Sequence, residues 1–156
     1  MITIEQAQEA LVLEMAQTAQ RYLQRDGAFV PFGGAITQNG EFLHTMAKGL
    51  SVEEAASLCA AKFKELVDQG TALTGGVAVH RLVPAGEKSE HLLMLFIYAA
   101  PPQTSCTRLA YRVEFREQGV ATEAIDAVSY LPSAFVDAVN LAASVVINEE
   151  NLRPFV

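Results

Sequence analysis

The chain has 156 residues, 51% of them apolar and 19% charged, which fits one domain with a substantial core and excludes a disordered or highly charged segment. Eleven basic residues against eighteen acidic ones give a net charge of −7, so neither nucleic acid nor an anionic membrane surface is an expected partner. The first residues show no basic-then-apolar leader pattern, and the longest apolar run, Leu92–Ala100, covers only about half a membrane crossing. A cytoplasmic protein is therefore expected, with Cys59 and Cys106 as free thiols in a reducing compartment.

The first element reads as a long helix. Thr3 with Gln6 makes a capping box, Ile4, Ala7, Leu11, Met15, Ala19, Tyr22 and Leu23 recur at three- and four-residue steps, and Asp26-Gly27 is a stop. Residues 29–37 and 41–47 read as two strands joined at Asn39-Gly40, a strong hairpin signal. Ser51 and Glu54 cap a second helix whose apolar stripe is Val52, Ala55, Ala56, Cys59, Phe63, Leu66 and Val67, ending at Gly70. Val77–Val83, His91–Ala99 and Thr107–Phe115 follow as three strands, parted by loops at Pro84–Ser89 and Pro101–Ser105.

Residues 92–99 are apolar on both faces, as in a central strand covered on both sides. The next strand alternates: Leu109, Tyr111, Val113 and Phe115 face one side, Arg108, Arg112 and Glu114 the other, giving a half-exposed strand. Val120–Tyr130 is compatible with a sixth strand near 125–131 or with a short helix. Pro132-Ser133 then introduces a last helix to about Ile147, polar only at Asp137, Asn140, Ser144 and Asn148. The expected fold is α+β: a mostly antiparallel sheet of five to six strands with three helices, in the order α-β-β-α-β-β-β-(β)-α.

Two stretches carry a resemblance. Phe29-Val30-Pro31-Phe32-Gly33-Gly34 running to Asn39-Gly40, followed downstream by Val113-Glu114-Phe115-Arg116 with Gly119 and by Tyr130-Leu131-Pro132, resembles a family of small uncharacterised bacterial α+β proteins. The resemblance implies the fold and no activity. The order of elements is also similar to that of roadblock/profilin-type domains.

Candidate sites are few. A four-residue loop at Pro84–Glu87 would set His80 opposite His91; this imidazole pair could bind a divalent metal, with His44 or Glu90 as a third ligand. Cys106 with His91 as base would be a nucleophilic pair, although no oxyanion glycine accompanies it. Gly33-Gly34 and Gly75-Gly76 adjoin strands, not helix N-termini, so close helix–strand contacts suit them better than phosphate binding. Arg108, Arg112 and Arg116 on one strand face are either a partner-binding stripe or a solvated face.

The surplus of apolar surface suggests an interface, most simply a symmetric homodimer. The sequence thus favours a non-catalytic protein-interaction module of chaperone-, immunity- or regulator-like kind, with no cofactor. The competing reading is a small-ligand or metal-dependent enzyme using His44, His80 and His91.

Overall fold

A computed structural model describes residues 2–46, 49–99 and 105–144. Its order is α1 (Ile4–Asp26), β1 (Phe32–Thr37), β2 (Phe42–Met46), α2 (Val52–Asp68), β3 (Ala72–Ala85), β4 (Lys88–Ala99), β5 (Ser105–Arg116), β6 (Gly119–Tyr130), a 3-10 turn at Pro132–Ala134 and α3 (Phe135–Ala142). All strands pair antiparallel in one sheet of order β2-β1-β3-β4-β5-β6, so the α+β expectation holds, with the sixth strand present. Among the described residues no helix is long and apolar enough to cross a membrane.

Both long helices start as their sequences dictate. The Thr3 and Ser51 hydroxyls accept from the backbone N–H of Gln6 and Glu54, whose side chains bond back to the cap residues. Gly27 closes α1 in the left-handed conformation, its N–H on the Leu23 carbonyl. α1 lays Ala7, Leu11, Met15, Ala19 and Leu23 on one side of the sheet, against Phe32, Ile36, Ala78, Leu93, Leu95 and Ile97. α2 and α3 cover the other side with Cys59, Phe63, Val67, Phe135 and Val139, over Val77, Val79, Met94, Phe96 and Tyr98. β4 is therefore sandwiched, as its doubly apolar pattern requires.

The glycine pairs make this double cover possible. Gly34 pairs with Gly76 across β1 and β3, with Gly33 and Gly75 alongside. A Cβ on Gly33 would lie 2.0 Å from the Phe63 ring, and one on Gly75 would lie 3.1 Å from the Phe63 carbonyl. On the opposite side a Cβ on Gly76 would sit 2.5 Å from the Phe96 carbonyl, and one on Gly34 would press on Phe42 and Met15. The four positions form a flat floor on which α2 rests directly and which α1 meets through Met15. They are close-contact glycines, not phosphate loops.

Three details depart from the sequence reading. The β3–β4 loop is a two-residue turn at Gly86-Glu87, with Gly86 at φ 67°, so both strands are longer than expected. Pro84 lies inside β3, which is tolerable because β1 pairs with β3 only as far as Ala78, leaving that flank without a ladder to interrupt. The last helix is shorter at its start, Pro132–Ala134 being a 3-10 turn, and its expected extension to Ile147 lies beyond the described residues. The Pro101-Pro102 loop lies outside them too.

Gly33→Ala is expected to lower the unfolding free energy by about 1–3 kcal/mol, because a buried Phe63 ring must yield to the added methyl. A urea midpoint unchanged from the parent would show that α2 does not rest on β1 at this point.

Candidate functional site

All three histidines project on the α1 side of the sheet, along its lower rim beside the C-terminal end of α1. They belong to a continuous row of rings. His44 meets Phe42 and Phe32, Phe32 meets Phe29, Phe29 meets His80, His80 meets His91, and His91 meets Phe115, with successive centroids 4.7–6.0 Å apart. Tyr22 of α1 packs on Phe29, Phe32 and His44, and its hydroxyl lies 3.3 Å from His44 Nε2.

His80 and His91 do converge, but not as direct partners. The two-residue turn moves the register by two, so His80 faces Leu93, Leu82 faces His91, and the imidazoles meet diagonally. His80 Nε2 and His91 Nδ1 are 2.9 Å apart, so one ring donates N–H to the bare nitrogen of the other. Burial lowers both basicities, that of His80 to about 4, helped there by the neighbouring His91. Both rings are therefore neutral at physiological pH.

The expected third ligands do not join them. His44 stands at the other end of the row, its basicity lowered by burial and by Arg21. Glu90 lies on the opposite side of the sheet and pairs with Arg112 at 2.9 Å. Among the described residues no three His, Cys, Asp or Glu side chains gather as a metal-ligand set.

The remaining sequence candidates disperse similarly. Cys106 is buried on the α2/α3 side, opposite to His91, and burial pushes its thiol up to about 11. Cys59 is also buried, with a raised thiol pKa; both cysteines are free. Neither is a thiolate at neutral pH. The arginine stripe divides: Arg108 is 2% exposed and holds both Asp126 oxygens at 2.8 Å, whereas Arg112 and Arg116 are exposed and face Glu90 and Glu114.

A second buried arginine went unnoticed in the sequence. Arg81 donates to the Ala142 carbonyl at 2.9 Å, placing a cation at the negative end of α3.

The other distinctive surface is apolar. α1 covers β1, β3 and β4 but only brackets β5 and β6, where Gln8 bonds Ser105 and Gln20 bonds Thr122, each at 3.3 Å. Between those brackets lies a slot of about 480 Å³, walled by Gln8, Glu9, Val12, Leu13 and Ala16 of α1 and floored by Ile97, Thr107 and Leu109. Beyond it β6 is the free edge of the sheet, and its Ala124, Ile125, Ala127 and Ser129 are exposed. Leu13 is 57% exposed and Ile125 45%.

The imidazole pair gives the fold a definite acid sensitivity. In the unfolded chain both rings titrate near pH 6.5. The folded state binds these protons less readily, so the unfolded state gains them first as pH falls. The stability tied to His80 is full above about pH 6.5 and is lost between there and about pH 4, by on the order of 2–3 kcal/mol. His80→Gln removes this component, so urea profiles of parent and variant between pH 7 and pH 4.5 should diverge in slope; parallel profiles would refute it. No protein-family model, no curated protein and no solved structure matches this chain.

Proposed function

We propose that this protein is a non-catalytic protein-interaction module that works as a homodimer, with the open α1 side of β5 and β6 as its interface. The observation that carries the reading is the unfinished cover of the sheet: helices shelter β4 from both sides, yet leave Thr107 and Leu109 of β5 half-covered and much of β6 exposed beside a mostly apolar slot. Continuous apolar surface of this kind, rimmed by polar groups, is an interface signature.

A second copy fits the surface on three counts. The α1 side of β6 carries Val120, Thr122, Ala124, Ala127 and Ser129, with no charge to oppose an identical partner in a chain of net charge −7. The carboxylates of β6, Glu123 and Asp126, point to the other side and lie against Arg112 and Arg108 of their own chain. Antiparallel pairing of two β6 edges therefore keeps these acids off the α1 side, and it satisfies backbone groups that a bare edge leaves to water.

The size is also adequate. A twelve-residue strand is about 40 Å long, and β5, β6 and the flank of α1 span about 20 Å, giving on the order of 800 Å² per copy, the standard size for a stable interface. The chemistry of the remaining candidates supports the same reading, since the thiols are protonated and buried and the closest imidazoles bond each other.

Sedimentation velocity across a concentration series tests this. A dimer is expected, weakened roughly tenfold or more, about 1.4 kcal/mol or greater, by Leu109→Asp or Ile125→Asp and unchanged by Leu58→Asp on the exposed flank of α2. A parent chain that stays monomeric up to about 100 μM, far above the dissociation constants of standard-size interfaces, would overturn the reading.

A further inference from the structure

The contact between His80 and His91 has an unusual shape. The rings are parallel to within 9°, their centroids are 5.1 Å apart, and the facing nitrogens are 2.9 Å apart. The shortening from centroid separation to nitrogen separation is as large as two imidazole radii allow. Both nitrogens thus lie close to the line between the ring centres, and the two nearly parallel rings are close to one plane. The rings meet end to end, each in-plane lone-pair direction aimed at the other nitrogen.

We propose that this pair is a two-coordinate site for a soft monovalent metal ion of the Cu(I) class, held in line between His80 Nε2 and His91 Nδ1. In-line donation from two nitrogens is the geometry that a filled-shell monovalent ion accepts as complete. Zn2+ requires four ligands, normally as a tetrahedron, and among the described residues no third His, Cys, Asp or Glu side chain is at hand to begin one. Hard divalent ions need several oxygen donors, and Glu90 is spent on Arg112 across the sheet.

The surroundings favour the same ion. Phe29 lies along the His80 ring at 5.5 Å and Phe115 stands edge-on to His91 at 4.7 Å, so the pair has aromatic walls. Aromatic flanks of this kind suit a single positive charge better than two. Both imidazoles are neutral at physiological pH, the protonation state a metal ligand requires. Binding needs no net loss of a proton: the N–H of the donor ring moves to its outer nitrogen, and the freed lone pair joins the ion.

The separation must widen. Two metal–nitrogen bonds of roughly 2 Å each, end to end, put the nitrogens about 4 Å apart, about 1 Å more than now. The pair sits where that is cheapest, on the part of β3–β4 that extends past the last β1 partner, Ala78.

The test uses the whole chain under anaerobic conditions. Ag(I), a redox-silent probe of the same class, is added while the histidine ring nitrogens are followed by 15N NMR, and Cu(I) affinity is measured against a chromogenic chelator. One equivalent should shift the ring signals of His80 and His91 together and leave those of His44 in place. His80→Gln and His91→Gln should each weaken Cu(I) binding at least tenfold, with folding checked by circular dichroism. The ring shifts in the unaltered chain keep the test valid if either variant fails to fold. The proposal is overturned if the ion leaves both rings unmoved, as capture by Cys59, Cys106 or methionine would, if either variant binds as tightly as the parent, or if Zn2+ displaces the monovalent ion at equal concentration.

Discussion

The architecture depends on a patch of backbone without side chains. Gly33, Gly34, Gly75 and Gly76 sit on two neighbouring strands, and each presents its missing Cβ to something already in van der Waals contact. On one side this admits the Phe63 ring of α2, on the other Met15 of α1. Helices normally stand off a sheet by the length of the intervening side chains; here α2 sinks onto it, its Phe63 carbonyl close over Gly75, and α1 reaches the same strand pair through Met15. Overpacking at such a point typically costs 1–3 kcal/mol, comparable with a large share of a domain's net stability. With α1 anchored there, its C-terminal half reaches the start of β6 through Gln20 on Thr122, while Ala124 to Ser129 stay largely exposed.

The buried cations show how the other side closes. Arg108 and Arg81 lie within the α2/α3 layer, where an unpaired charge would be severely penalised. One is paired with a carboxylate from the next strand, the other donates to the last carbonyls of α3. Each therefore joins an element of the sheet to a piece of chain that follows it, and each reads as a structural tie more than as a surface for anionic partners. Arg112 and Arg116 stay at the surface, where such pairs contribute little.

Much of the fold was legible in the sequence where the signal is local. The capping boxes at Thr3 and Ser51, the Asn39-Gly40 turn and the doubly apolar run of β4 each follow from short-range chemistry, and each is present. What was obscured had a physical reason. β6 carries a bulge that leaves Ile125 between Ala124, which faces Tyr111, and Asp126, which faces Ala110. One extra residue breaks the alternation that identifies a strand, so half of it could pass for a helix. The imidazole contact was anticipated from a wrong register: Pro84 looked like the start of a loop, whereas the turn lies at Gly86, and the rings meet only because diagonal neighbours on one sheet side are also within reach. The Arg108–Asp126 tie and the aromatic row from Phe42 to Phe115 join residues distant in the chain, which no window-based periodicity can bring together.

The order of the strands has a consequence for how the molecule assembles. From β3 to β6 each strand lies beside its predecessor, so this meander can form one hairpin at a time, with little chain entropy lost at each closure. The β1–β2 hairpin must instead wait for β3, which arrives only after the whole of α2 has been traversed. Because β1 carries half of the glycine floor, α1 has no complete seat until that late pairing occurs. That closure, between strands about 42 residues apart, carries the largest loop entropy of any strand pairing in the sheet.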